Sequence, residues 1–366
     1  MKITAVVSRE KGKHSFETVE LAAPKANEVL VKMVACGICH TDFAVLEQFL
    51  PIQYPYVAGH EGAGIVEQVG SAVSDLVPGD RVAISFPSCG KCDACNDGRP
   101  YACETGFECF FGGNYRDGTK RMTGEDGVEI GVMFGQGSFA TYAIADQSNT
   151  VKIDVDNDEE LAHLCSLGCG VQTGAGAVLN RMKPRPGKSL AVFGCGTVGL
   201  SGVMGAKLAG CSPIIAVDIS AARLDMAREL GATHVINGRD EDVVARVKEI
   251  TGKGLNYAME AAGNPNVTLT MLDCMAREGM AVLVSVTGPL SVPIVLEQHI
   301  MSPSLTLAGA VEGFSNPKVF IPELVRLYKD GRLPVDKLNK FYDFKDIDTA
   351  LHDCHEGSTI KPILRF

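Results

Sequence analysis

The stretch "SLAVFGCGTVGLSGVMGAKLAG" constrains this chain more than any other. An apolar run of the kind found in strands buried on both faces ends at Gly194. "GCGTVG" then sets Gly194, Gly196 and Gly199 in a G-x-G-x-x-G pattern, and a segment of helical spacing follows and stops at Gly210. Further on, "PIIAVD" reads as a strand and "SAARLDMARELGA" as an amphipathic helix closed by Gly231. "HVING", "YAMEAAG" and "MAVLVSV" repeat the strand pattern. Strands alternating with helices predict parallel βαβ units from about residue 170 onward.

The glycines carry a chemical expectation in this context. Gly194 permits a tight turn, Gly196 lets backbone approach a pyrophosphate, and Gly199 lets the helix pack closely on the strand. The helix N-terminus offers unpaired N–H groups to the anion. Asp218 ends the next strand about 20 residues on, where an acid bonds the adenosine ribose and repels a 2′-phosphate. That favours NAD over NADP. The bland alternative is a ligand-free turn with a helix-capping Asp.

The first 150 residues have another texture. "EVLVKMVACG", "GAGIVEQVG" and "DRVAIS" are short β-branched runs, with the turn "PGD" between two of them. No long helical period occurs there, so an irregular β-barrel-like domain is expected. "NPKVFIPELVRLYKDGRLP" predicts a helix, and "KPILRF" a closing strand. With 366 residues, two domains are expected. The nucleotide-type domain, residues 171–311, is inserted into a domain built from 1–170 and 312–366. The net charge is −10 without basic clusters, which argues against nucleic-acid or anionic-membrane partners. The apolar run at the N-terminus is too short for a signal segment, and no stretch reaches the roughly 18 apolar residues of a membrane span. The chain reads as cytosolic.

In such a chain 13 cysteines argue for metal ligation or core packing rather than a disulfide framework. Cys89, Cys92, Cys95 and Cys103 follow C-x2-C-x2-C-x7-C, in a lobe spanning about 88–104. Four thiolates on one polar loop suit a closed tetrahedral zinc. An iron–sulfur cluster is the alternative, although its usual continuation differs. A second set is dispersed: Cys39 in "CGIC", His60 and Glu61 in "AGHEGAG", and Cys169 in "SLGCGVQTG". A catalytic zinc wants three protein ligands and one open place. Taken singly, His60 reads as a core histidine, Cys169 as a packing residue and Glu61 as a surface acid. Cys36 shares the Cys-x-x-Cys spacing with Cys39, which would suit a redox dithiol, but Cys36 has no partner role and reads as a small residue packing under the loop.

Together these motifs resemble the zinc-dependent medium-chain alcohol dehydrogenases. "GHEGAGIVEQVG", "CGICHTD", "PGDRV", the cysteine lobe, "LGCGVQTG", "GCGTVG" and "STIKPILRF" fall in that family's order across essentially the whole chain. Within the family, "GICHTD", "SLGCGVQTGAGAVLN" and segment 104–135 look most like benzyl (aryl) alcohol dehydrogenases. The resemblance implies a GroES-like barrel plus a Rossmann-type doubly wound domain, NAD, and two zinc ions per subunit. It implies Cys39, His60 and Cys169 on catalytic zinc, Glu61 behind it, and Asp42 orienting the histidine. Thr41 would bond the substrate alcohol and begin proton removal. His40 and Lys361 would face the coenzyme pyrophosphate, and Arg223 would flank the ribose beside Asp218. Thr173 and Val198 would pack on the nicotinamide, with Thr197 and Val286 also on the cofactor. Ser85, Phe86, Met133 and Phe134 would fall near the substrate pocket, or else simply pack in the core. Many relatives have a proton-relaying histidine where this chain has Ala44. A homo-oligomer, dimer or tetramer, is implied. The rival readings are a glutathione-dependent formaldehyde dehydrogenase, which needs basic groups near the pocket, and a non-catalytic zinc-lobe regulator.

Overall fold

The computed structural model describes every residue except Pro289. It divides into two compact units, one of Met1–Cys169, Asn316–Gly331 and Val335–Phe366, the other of Gly170–Ser315 and Arg332–Pro334.

The first unit is built on β-structure. Strands Lys2–Glu10, Lys13–Leu21, Met122–Gly124, Glu129–Val132 and Tyr56–Val57 close a barrel. A second sheet runs in the order Thr150–Lys152, Arg81–Ile84, Glu61–Val69, Glu28–Gly37, Lys361–Arg365, Asn339–Asp343, with Tyr142–Asp146 also paired to Glu28–Gly37. "KPILRF" is the predicted closing strand, and it lies antiparallel to Glu28–Gly37 with Ile363 opposite Gly37. Opposite the same Gly37, on the other side, is Glu61. Residues distant in sequence, near 37, 61 and 361, therefore meet on three adjacent strands. Short helices His40–Leu46, Asp93–Asn96 and Gly106–Phe111 interrupt the β-structure. At four to seven residues they are too short to show a clear helical period in sequence.

The second unit holds six parallel strands in the order His234–Asn237, Ile214–Asp218, Leu190–Phe193, Leu255–Glu260, Met275–Leu283, Thr306–Gly309. In chain order that is 3-2-1-4-5-6, the Rossmann arrangement. Leu190–Phe193 is central and buried along its whole length, as its apolar run predicts. Helix Thr197–Leu208 ends just before Gly210, whose φ is +73°. Helix Ala221–Leu230 ends at Gly231. Asp242 and Asn264 cap the next two helices by accepting the N–H groups of Ala245 and Asn266. Among the described residues, no helix is long and apolar enough to cross a membrane.

Candidate active site and metal centres

Cys39 caps the N-terminus of helix His40–Leu46, and Asp42 lies in that helix's first turn. The Asp42 carboxylate is fully buried, so it needs donors, and it has three. Cys39 N–H reaches Oδ2 at 2.9 Å; Gly59 N–H and His60 Nδ1 reach Oδ1 at 3.2 and 3.0 Å. A proton on Nδ1 leaves Nε2 with a lone pair. That Nε2 is buried and has no hydrogen-bond partner. Leaving such an atom bare costs about 1–3 kcal/mol. One ligand atom each from Cys39, His60, Glu61 and Cys169 lies within 4.8 Å of the others. The orphaned nitrogen and the donor set both fit a metal ion. The structure thus gathers all four dispersed residues of the second set.

The two cysteines of "CGIC" separate here. Cys36 points into the barrel core from strand Glu28–Gly37, and burial pushes its thiol well above the ordinary value. Hydrogen bonding to Cys169, helped by His60 and Lys361, holds Cys39 well below it despite burial. The Thr41 hydroxyl lies 3.7 Å from Cys39 Sγ. His40 is exposed, its ring 6.1 Å from that of Phe43.

Glu61 is also fully buried, and Lys361 is one of its partners. Lys361 Nζ donates to Glu61 Oε2 at 2.6 Å and to the Ile38 carbonyl at 2.9 Å. Burial raises the Glu61 carboxyl against the pull of Lys361. Gln136, which sequence reasoning missed, ties the histidine segment down. Its amide donates to the carbonyls of His60 and Ser85, and its oxygen accepts from Gly62 N–H and Ser138 Oγ.

The four pocket candidates are all buried. Ser85 Oγ donates to the Gly168 carbonyl at 2.7 Å. Phe86, Met133 and Phe134 belong to the barrel's apolar core. Phe134 has a left-handed backbone, φ 52° and ψ 30°, uncommon for a bulky side chain. Its ring lies 4.7 Å from the His60 ring and stacks on Phe110 at 4.5 Å and 16°. Phe111 meets Phe134 edge-on, and Phe86 meets Phe110. Phe110 and Phe111 escaped sequence reasoning, although the aromatic spacing of "GFECFF" on one short helix was the available signal.

The lobe forms the other cluster. Ligand atoms of Cys89, Cys92, Cys95 and Cys103 lie within 4.8 Å of one another. Cys89 N–H donates to Cys103 Sγ at 3.3 Å. Burial acts to raise the Cys89 thiol, but N–H groups of Lys91 and Cys92 outweigh it and bring the thiol to about 6. Four thiols in a polar loop are a donor set for a closed tetrahedral ion.

In the second unit the three glycines differ in what surrounds them. Gly194 has φ +95°, and a Cβ there would lie 2.8 Å from the Ala261–Ala262 backbone. A Cβ on Gly199 would lie 1.7 Å from the Gly194 carbonyl oxygen. At Gly196, the N-cap of helix Thr197–Leu208, a Cβ would meet nothing within 4 Å. That open cradle at a helix N-terminus fits a pyrophosphate. Asp218 accepts the N–H of Cys195 at 2.6 Å and of Ser220 at 2.8 Å, so its carboxylate sits against the glycine loop. Arg223 lies in the helix that follows, Ala221–Leu230. Thr173 is buried in helix Gly170–Gly176. The next residue, Gly174, packs so closely on Val198 that a Cβ would lie 1.9 Å from its carbonyl oxygen. Val286 is 54% exposed, in the loop after strand Met275–Leu283.

Residues 25–155 match the alcohol dehydrogenase GroES-like domain, and residues 197–329 match the zinc-binding dehydrogenase domain. Geraniol dehydrogenase of Castellaniella defragrans is 40% identical over 99% of this chain and 97% of its own. Among solved structures, an alcohol dehydrogenase zinc-binding domain protein from Burkholderia ambifaria is 43% identical at a TM-score of 0.96. Benzyl alcohol dehydrogenase from Acinetobacter calcoaceticus is 42% identical at 0.95; each comparison covers 100% of this chain and 99% of the other. This chain belongs to the zinc-dependent medium-chain alcohol dehydrogenase family.

Proposed function

We propose that this protein reversibly oxidises a primary, benzyl-type alcohol to its aldehyde with NAD, using one catalytic and one structural zinc per subunit. The observation that carries this reading is the largely buried cluster of Cys39, His60, Glu61 and Cys169, in which His60 Nε2 is buried and unpartnered. Zinc bound there supplies Lewis acidity that lowers the alcohol's pKa, and NAD supplies the hydride acceptor. Asp42 fixes the His60 tautomer and ring, leaving Nε2 as the ligand atom. Thr41, beside Cys39, takes the alcohol proton and passes it outward. Ala44 has no imidazole, so the proton leaves through water or the exposed His40. Gly194, Gly196, Gly199 and Thr197 hold the pyrophosphate, and Asp218 with Arg223 holds the adenosine ribose. Thr173, Val198 and Val286 bound the nicotinamide. The Asp218 carboxylate disfavours a 2′-phosphate, which supports NAD. Cys89, Cys92, Cys95 and Cys103 hold the structural ion, and the active form is a homo-oligomer.

The stack of Phe134, Phe110, Phe111 and Phe86 beside His60 supports a flat, π-bearing substrate. Benzyl alcohol and geraniol, named for two relatives, share a carbinol carbon next to a π-bond. The test is NADH formation across benzyl, cinnamyl, geranyl and aliphatic alcohols and S-hydroxymethylglutathione, with NADP as the competing cofactor. A preference for benzylic over aliphatic alcohols is expected. Preference for the glutathione adduct, or no turnover of any alcohol, would overturn the reading.

A further inference from the structure

His60 is gripped at two ends. Asp42 holds its ring through Nδ1. Its main-chain carbonyl is held by Gln136, whose amide donates to it at 3.1 Å. The same amide donates to the Ser85 carbonyl at 3.2 Å, and its oxygen accepts from Gly62 N–H at 3.3 Å and from Ser138 Oγ at 2.6 Å. A glutamine amide has two N–H donors and an oxygen with two lone pairs, so its whole capacity is used. Exchanging oxygen and nitrogen would set N–H against the Gly62 N–H and oxygen against two carbonyls, so the orientation is fixed. Gln136 is also 0% exposed. A buried polar group satisfied this fully rigidifies the segments it joins.

We propose that Gln136 is a positioning residue that fixes Phe134 against His60 and so sets the preference for a flat, π-bearing alcohol. This rests on the reading of the cluster as the site of a benzyl-type alcohol. Phe134 lies two residues before Gln136, its ring 4.7 Å from the His60 ring and 4.5 Å from that of Phe110. The backbone around it is contorted: Phe134, Gly135 and Gly137 have φ of 52°, 57° and 58°. The packing beside it leaves little slack. Ser138 and Phe139 N–H donate to the carbonyls of Gly59 and Ala58 at 2.9 and 3.0 Å. A Cβ on Gly62 would lie 2.3 Å from Ser138 Oγ, and one on Gly137 would lie 2.8 Å from Val132 Cγ1. The Gln136 side chain crosses from the segment of the phenylalanine to the carbonyl of the histidine. Asp42 holds the ring separately, so loss of Gln136 shifts Phe134 relative to His60 without releasing the ligand nitrogen.

The test compares benzyl alcohol with cyclohexylmethanol, which has the same carbon skeleton without the π-system. For the wild type, Gln136→Met, Ser138→Ala and Asp42→Asn, kcat/KM is measured on both alcohols with NAD, and metal affinity by chelator competition. Methionine keeps the bulk of Gln136 and removes its hydrogen bonds. In Gln136→Met the ratio of kcat/KM for benzyl alcohol to that for cyclohexylmethanol is expected to fall about 3–10-fold, the range an aromatic contact supplies, with metal affinity unchanged. Asp42→Asn is expected to do the reverse, weakening the metal and keeping the ratio. If Gln136→Met does not fold, Ser138→Ala, which removes the 2.6 Å bond alone, is expected to lower the ratio by a smaller factor. An unchanged ratio in Gln136→Met, or in Ser138→Ala in its place, overturns the proposal. So does a ratio that falls only together with metal affinity, or that falls equally in Asp42→Asn. A wild type that does not distinguish the two alcohols overturns the benzyl-type reading itself.

Discussion

Cys36 and Cys39 share one Cys-x-x-Cys motif and have opposite environments. Cys36 is sealed in the barrel core, its Sγ 3.5 Å from the Gly37 carbonyl. Cys39 is gathered with His60, Glu61 and Cys169. Cys36→Ser is therefore expected to keep both metals and its activity, whereas Cys39→Ser loses the catalytic metal; metal analysis of the two variants decides. Asp42→Asn keeps the shape but weakens the hold on His60, and metal affinity should fall about 10–100-fold, measured by chelator competition. Ala44→His offers the proton an imidazole in place of release through water or His40 and should shift the pH–rate profile; an unchanged profile counts against that release. At this scale the candidate ligand residues were legible as types in a pattern. The pairing of Lys361 with Glu61 was not, because it spans 300 residues of sequence. Nor was the backbone of Phe134, whose left-handed φ is uncommon for a bulky side chain.

At the scale of elements, the glycine loop separates binding from packing. Gly196→Ala adds a methyl into open space, so stability should change by no more than about 0.5 kcal/mol while NAD affinity falls. Gly199→Ala drives a methyl into the Gly194 carbonyl and should cost about 1–3 kcal/mol in thermal or denaturant unfolding. The lobe has helices of only four and three residues, Asp93–Asn96 and Pro100–Ala102, so under the proposed reading a metal ion would serve as its core. Cys103→Ser should lower the metal content from two ions to one and reduce the unfolding temperature. Helix Ile347–His355 is tied to strand Asn339–Asp343 through Asp353, whose carboxyl the Tyr342 hydroxyl and Lys340 hold down to about 2. A depressed folded-state pKa stabilises above the unfolded value, about 3.9, and that contribution is lost as pH falls toward 2. Asp353→Asn should flatten the stability profile in that window. The twelve-residue helix Thr197–Leu208 and the continuous apolar strand Leu190–Phe193 were readable in advance. Gly106–Phe111 was not, since a six-residue helix barely completes one repeat of the pattern.

At the scale of the molecule, the chain's end is part of its beginning. Lys361–Arg365 pairs with Glu28–Gly37, and Lys361 reaches Glu61 from it. Removing residues 360–366 should unfold the first unit, detected by lost helicity and lost metal. By itself the sequence determined the parallel βαβ unit, the β-rich remainder and the two cysteine-containing sets. Those rest on local periodicity, glycine conformational freedom and ligand chemistry, which neighbouring residues carry. Only the tertiary structure decided that Cys39, His60, Glu61 and Cys169 converge, that Cys36 does not join them, that Lys361 pairs with Glu61, and that Phe134 stacks between His60 and Phe110. Convergence depends on which strands lie side by side and in what register, and no local spacing encodes that.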